Sequence, residues 1–350
     1  MLKKALSLLT AAIVLGTALC ACAPKNEQKI TVNDKEYSAD KTVLTIGDYD
    51  VSLDFFRYCY LAVKNGMLSE NSALDFSKEE NAKKLSDEVI RETKRMFAVL
   101  ELSEKHGYKL TADELAEIDS TMKSAFESAG NAADYKALLE ENNLTNDVYK
   151  KALEINTLSA KMAETLCGTD SKTNKIVFTA EEAVKAYSET HTRFMSMYFP
   201  AEYLDSAGQS LSTEDYERNK AEAKKKADAA LNEIKNGASF ADTMKKYMGE
   251  DEYTADLQSY YDAAAISESL GYDLTKLKVG ETSEVVFSQS CYFIIHRLEN
   301  DTKYLTENAE NVSTVYAEQV YEEELGKIAD ALEIKETELY KEIVFDSFGK

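Results

Sequence analysis

Three histidines, His106, His191 and His296, stand far apart in this 350-residue chain. No two have the spacing at which neighbouring imidazoles present themselves to a zinc ion. No Gly-x-Ser-x-Gly turn, Ser/His/Asp set or phosphate-cradling glycine loop is present either. The sequence therefore points away from hydrolysis, nucleotide chemistry and metal catalysis, and no cofactor is implied. Of five cysteines, Cys59, Cys167 and Cys291 are scattered with no Cys-x-x-Cys among them. An odd set of three argues against a full disulfide framework and reads as three buried thiols.

One sulfur is placed for chemistry of a different kind. Lys3 and Lys4 precede an apolar run from Ala5 to Ala21. That run is marginal for a membrane-spanning helix, which needs about 20 apolar residues, but it suits the core of a signal segment. It ends in Leu19-Cys20-Ala21-Cys22, which resembles a lipobox. Cleavage before Cys22 and diacylation of its sulfur are expected, because Cys20 follows the bulky Leu19 whereas Cys22 follows a small residue. Residues 1–21 then form a signal peptide, and 22–40, polar and containing Pro24, a tether. The chain would be lipid-anchored on the extracytoplasmic face of the cell membrane.

The elements beyond the tether are of two kinds. Val43 to Ile46 reads as a strand and Gly47-Asp48 as a turn, with Ser52 opening a helix that carries Leu53, Phe56 and Tyr60. A long helix is expected over 78–106, with Leu85, Val89, Met96, Phe97 and Leu100 as its apolar stripe and Gly107 as its stop. Thr111 to Glu114 and Thr179 to Glu182 are capping-box patterns. Between them, helices carry Ile118, Met122 and Phe126, then Tyr135, Leu138 and Leu139, then Val148, Ile155 and Met162. At Arg193 the pattern changes. Phe194 to Phe199 reads as a strand, Ser212 or Thr213 opens an alanine-rich helix, and Ser239 to Asp242 starts a short one. Val285 to Phe287 and Tyr292 to Ile295 read as two more strands. Helix returns over 310–332.

The formal charge is −22, and removing Lys3 and Lys4 with the signal segment takes it to −24. Such a chain repels nucleic acid, and it has no polybasic patch for anionic lipid.

This order of elements resembles the parvulin-type extracytoplasmic foldases, PrsA-like and SurA-like. The segments that carry the resemblance are Thr45 to Phe55, Glu101 to Glu114, Phe178 to Tyr187, Gly237 to Tyr247 and Lys278 to Ser283. The last two are the most specific, resembling the family's Gly-x-x-Phe and Lys-x-Gly-Glu-x-Ser stretches. The resemblance implies an α+β fold: a mostly helical chaperone-like lobe over 41–190, completed by 303–350, and a small parvulin-like domain over 191–302. It also implies an isomerase centre with two histidines in facing strands. Those positions fall on Ser196 and Phe293, so no catalytic residue is assigned and the centre reads as degenerate. His296, three residues beyond Phe293, should point to the opposite face of the strand. Of the family's glycine-rich turn only Asp256 and Leu257 remain, while Glu250, Asp251 and Glu252 have no clear counterpart. Ile266 and Leu270 fall on the apolar proline-pocket positions, so Ile266, Leu270, Asp256 and Leu257 are the candidate peptide-binding residues.

The reading that follows is a membrane-anchored chaperone whose partners are unfolded or partly folded exported polypeptides. The alternatives are an active prolyl isomerase using Ser196 and, in a third class, a solute-binding lipoprotein. The long helical first half disfavours the third.

Overall fold

A computed structural model describes residues 29–204, 208–256, 259–343 and 347–348. The signal segment, Cys22 and most of the tether lie outside these residues. So do Leu257 and the side chain of Asp256. The fold is α+β, mostly helical with a smaller β-rich part. No helix among the described residues is long and apolar enough to cross a membrane. The chain divides into two compact units, Met1–Val177 with Ala317–Lys350, and Phe178–Tyr316.

The first unit opens with strands β1 (Lys29–Val32) and β2 (Lys35–Ser38), paired antiparallel. Residues 29–38 were expected to be tether. Instead Ile30 and Val32 are buried, and Asn33 and Asp34 both adopt positive φ, 49° and 63°. That is the geometry of a two-residue hairpin turn, which Asn and Asp tolerate. Strands β3 (Thr42–Ile46) and β4 (Tyr49–Ser52) form a second hairpin. Gly47, in its turn, has φ +55°, and a Cβ there would come within 2.8 Å of Leu332. The helices Leu53–Glu70, Glu79–His106, Ala112–Ala129, Ala132–Glu141 and Asn146–Thr165 follow.

Their ends are where the sequence put them, for local reasons. At Thr111 the side chain accepts from the Glu114 backbone N–H at 3.2 Å, and the Thr111 N–H donates to the Glu114 carboxylate at 2.6 Å. Gly107, at φ 72°, closes the long helix, with the Tyr108 N–H donating to the Ser103 carbonyl at 2.8 Å and the Gly107 N–H to that of Glu104. This is the left-handed stop that glycine supplies at least cost. The apolar stripes meet in a core where Leu44, Ile46, Leu53, Leu85, Phe97 and Leu102 are fully buried. After the two-residue parallel pair β5 (Cys167–Gly168) and β6 (Ile176–Val177), the chain leaves this unit.

The helix Ala180–Thr190, expected within the helical lobe, groups with the second unit. Asn300 explains why: its amide donates to the carbonyls of Ser188 and His191, both at 3.1 Å, and its Oδ1 accepts from the Arg193 N–H. Strands β7 (His191–Pro200), β8 (Tyr260–Asp262), β9 (Val286–Ser288) and β10 (Cys291–Arg297) form one antiparallel sheet in the order β8-β7-β10-β9. Helices Thr213–Lys235 and Phe240–Met248 cover one face, burying Met195, Met197, Phe199, Tyr292 and Ile294. Helix Ala263–Leu270 and the turn Leu274–Lys276 lie over part of the other, where Phe194 and Ile295 are buried.

Helix Thr302–Glu307 follows, then Ala309–Ala331, whose residues before Ala317 group with the second unit and the rest with the first. Strand β11 (Ile334–Glu336) pairs antiparallel with β3, completing a sheet in the order β11-β3-β4.

Candidate functional site

The partly open face of the four-stranded sheet is set by the register of β7 and β10. Ser196 pairs with Ile295, and Phe293 with Tyr198. Side chains alternate along each strand and paired residues share a face. Phe194, Ser196 and Tyr198 of β7 therefore stand on one face with Phe293 and Ile295 of β10. Ser196 and Phe293 are one pair apart on that face, not directly opposed.

Phe293 belongs to a cluster with Tyr261, Ile266, Leu270 and Tyr272, packed against buried Phe194, Ala263, Leu274, Leu277 and Ile295. The structure thus brings Ile266, Leu270 and Phe293 into one partly buried apolar surface, with the Ser196 hydroxyl and Tyr198 beside it. Helix Ala263–Leu270 holds Ile266 and Leu270 there. Asp262 caps it, its carboxylate accepting from the N–H groups of Ala264 and Ala265 at 2.9 and 3.1 Å, and Gly271 at φ 66° ends it. That Asp cap was the sequence signal for a helix the periodicity did not reveal.

The Lys278 to Ser283 stretch has a structural role at this site. It runs beside β10 as an irregular edge. The Gly280 N–H donates to the Arg297 carbonyl, and the Ser283 N–H to that of Ile295, both at 2.8 Å. The Ser283 hydroxyl accepts from the Ile295 N–H at 2.9 Å, and the Glu281 carboxylate from the Lys278 N–H at 2.8 Å. Gly280 sits at φ +82°, so this position needs glycine. These bonds fix the strand that carries Phe293. Sequence reasoning recognised the motif but not that it braces β10.

No histidine faces the cluster. His296 lies on the opposite face, stacked on Phe240 at 4.9 Å, with Nδ1 2.9 Å from the Thr282 hydroxyl. His191 stacks on Tyr187 at 3.9 Å. Burial pushes both imidazoles below their ordinary 6.5. A pKa lowered on folding means that the unfolded chain binds more protons in that window. The stabilisation is therefore complete above about pH 6.5 and declines as pH falls below it. The midpoint of urea denaturation is expected to drop between pH 7 and 5.5, and His296→Gln should flatten that drop. A parent protein with the same midpoint across this range would refute the assignment.

Glu250 pairs with Lys245 at 3.1 Å, and Asp251 and Glu252 are exposed. Among the described residues, the thiols of Cys59, Cys167 and Cys291 form no disulfide. Burial raises Cys59 to about 12 and Cys167 to about 11, which leaves both inert as nucleophiles. The site's chemistry is therefore apolar burial, with the hydroxyls of Ser196 and the neighbouring tyrosines as its polar groups.

Residues 203–301 match a family model described as a PPIC-type PPIASE domain. No curated protein matches the chain at a significant level. Among solved structures, PrsA from Bacillus subtilis is similar at 17% identity, covering 87% of this chain and 98% of that one, with a TM-score of 0.27. The foldase protein PrsA from Streptococcus pneumoniae is similar at 16% identity, covering 77% and 88%, with a TM-score of 0.25. The match extends over residues 203–301, and for that segment it gives a PPIC-type, that is parvulin-type, domain.

Proposed function

We propose that the chain is an extracytoplasmic chaperone, lipid-anchored through Cys22, that holds unfolded exported polypeptides. In this reading the parvulin-type face is a peptide-holding surface without an efficient isomerase centre. The observation that carries it is Phe293, an apolar ring at one of the two positions where the family resemblance implies a histidine, packed into the same cluster as Ile266 and Leu270. Asp256 and Leu257 are proposed as further peptide-binding residues on the family resemblance alone. The mostly helical first unit, Met1–Val177 with Ala317–Lys350, is proposed as a second client-holding element.

A chaperone of this kind works without nucleotide or metal. The purified chain is expected to suppress aggregation of an unfolded client at equimolar to severalfold excess, with no added ATP. Ile266→Asp is expected to weaken that protection, because a carboxylate at a partly buried apolar position resists desolvation. Unchanged aggregation of several clients at excess would remove the chaperone reading.

Anchoring has its own test. Cys22→Ala is expected to abolish palmitate labelling and release the protein from the membrane fraction, whereas Cys20→Ala should do neither. One acyl chain gives marginal anchoring, each buried CH₂ contributing about 0.8 kcal/mol, so a diacylated cysteine is what holds. Full labelling of the Cys22→Ala protein would shift the assignment elsewhere.

A further inference from the structure

A second site lies in the first unit, away from the parvulin-type face. A cavity of about 270 Å³ opens between the helices Glu79–His106 and Asn146–Thr165. Its apolar wall is Leu100, Leu110, Ile155 and Leu158, and its charged groups are Asp147, Lys150, Lys151 and Glu154. Lys150 is engaged with Asp119 at 2.8 Å.

Lys151 is different. It is half-buried, and among the described residues it makes no hydrogen bond and no ion pair. Its ammonium sits over two rings, 4.6 Å from the centroid of Phe97 and 5.2 Å from that of Phe55. Burial lowers its pKa, while Asp54 and Glu154 oppose the shift at longer range than an ion pair. Ring faces supply part of the compensation a desolvated cation needs, but they accept none of its three N–H bonds conventionally. A charged donor in this state, next to an open cavity, lacks an acceptor.

We propose that this pocket binds the C-terminal end of a polypeptide, its terminal carboxylate on Lys151 and its last, aliphatic side chain on the Leu100–Leu110–Ile155–Leu158 wall. The cavity is below the usual range of drug-sized pockets, roughly 300–1,000 Å³, and suits a single residue. Its charges balance, two acidic against two basic groups. A simple cation meets the lysines, and a purely apolar group leaves the charges unmatched. A chain end satisfies both signs: its carboxylate accepts from Lys151, and its amide N–H has Glu154 or Asp147 as acceptor. Phe55 and Phe97 hold the lysine from beneath, so the site is assembled before the ligand arrives.

The test is a methyl-NMR titration of the purified full chain with N-acetyl-leucine, N-acetyl-leucinamide and 4-methylpentanoate. N-acetyl-leucine is expected to shift the methyl signals of Leu100, Leu110, Ile155 and Leu158. The amide should bind about tenfold more weakly, the loss of one hydrogen-bonded charge contact. Lys151→Met should abolish the preference for carboxylate, and Lys151→Arg should retain it. Equal binding of acid and amide, or no shift at these methyls, would overturn the site. Equal binding of 4-methylpentanoate, which lacks the amide N–H, would overturn the chain-end assignment.

Discussion

Isomerisation of a short proline peptide by the purified chain is expected to run close to the uncatalysed rate. Rotation about the amide faces a barrier of about 18–20 kcal/mol. An isomerase lowers it with an apolar pocket and polar groups that favour the twisted amide. Here Ile266 and Leu270, the proposed pocket residues, share one cluster with Phe293. The polar side has no imidazole, and the Ser196 hydroxyl is one pair removed from Phe293 on the same face. Phe293 neither donates nor accepts a proton, and His296 faces away, stacked on Phe240. Removing one preorganised polar donor from an active site costs about 3 kcal/mol, and each 1.36 kcal/mol is about tenfold in rate. The expected deficit is therefore about a hundredfold or more relative to a centre with its network intact. A protease-coupled assay with a proline tetrapeptide measures it. Ser196→Ala should change little, because little catalysis remains to lose. A kcat/KM in the ordinary enzyme range of about 10⁴–10⁸ M⁻¹s⁻¹, abolished by Ser196→Ala, would make the chain an active isomerase.

Phe97→Ala is expected to destabilise the first unit by about 3–5 kcal/mol, the usual cost of emptying an aromatic site in a close-packed core. Phe97 is fully buried. Its ring meets Phe55 edge-on at 5.4 Å and Tyr49 at 5.5 Å, and it underlies the Lys151 ammonium. Truncation opens a cavity and leaves Lys151 half-buried over one ring instead of two. Domains are stable by only about 5–15 kcal/mol, so the loss is a large share of the total. Urea denaturation followed by two probes, one in each unit, should show the transition of the first unit moving to lower urea. The second unit's own transition should move far less. Val279→Ala, at a residue 56% exposed, should stay within about 0.5 kcal/mol of the parent. A shift for Phe97→Ala no larger than that of Val279→Ala would mean that this ring is not a core element.

Local structure follows from the residues alone wherever the signal is local. The capping boxes at Thr111 and Thr179 and the left-handed stop at Gly107 depend on residues within one turn of each other. They could be read from spacing because nothing distant takes part. The strands around Met197 and Ile294 were legible for a related reason. Each is an unbroken apolar, aromatic run between turn residues, and the alternation of side chains along a strand sends His296 to the face opposite Phe293.

What the spacing did not reveal is what distant pairing creates. Strand β8 has three residues, too few for a period, and exists because it pairs with the start of β7, Tyr261 opposite Thr192. Strand β11 is equally short and forms by lying along β3, nearly 300 residues earlier in the chain. The β1–β2 hairpin reads as tether because its polar composition outweighs two alternating apolar residues, Ile30 and Val32, which become buried only through contacts remote in sequence. The candidate site combines both cases. Ser196 and Phe293 were identifiable as positions, yet their offset by one pair is a property of the β7–β10 register. The association of Phe293 with Ile266 and Leu270 is a property of a helix that Asp262 starts and Gly271 ends. Register and helix placement are set by burial summed over both faces of the sheet, and that sum exists only once the chain has folded.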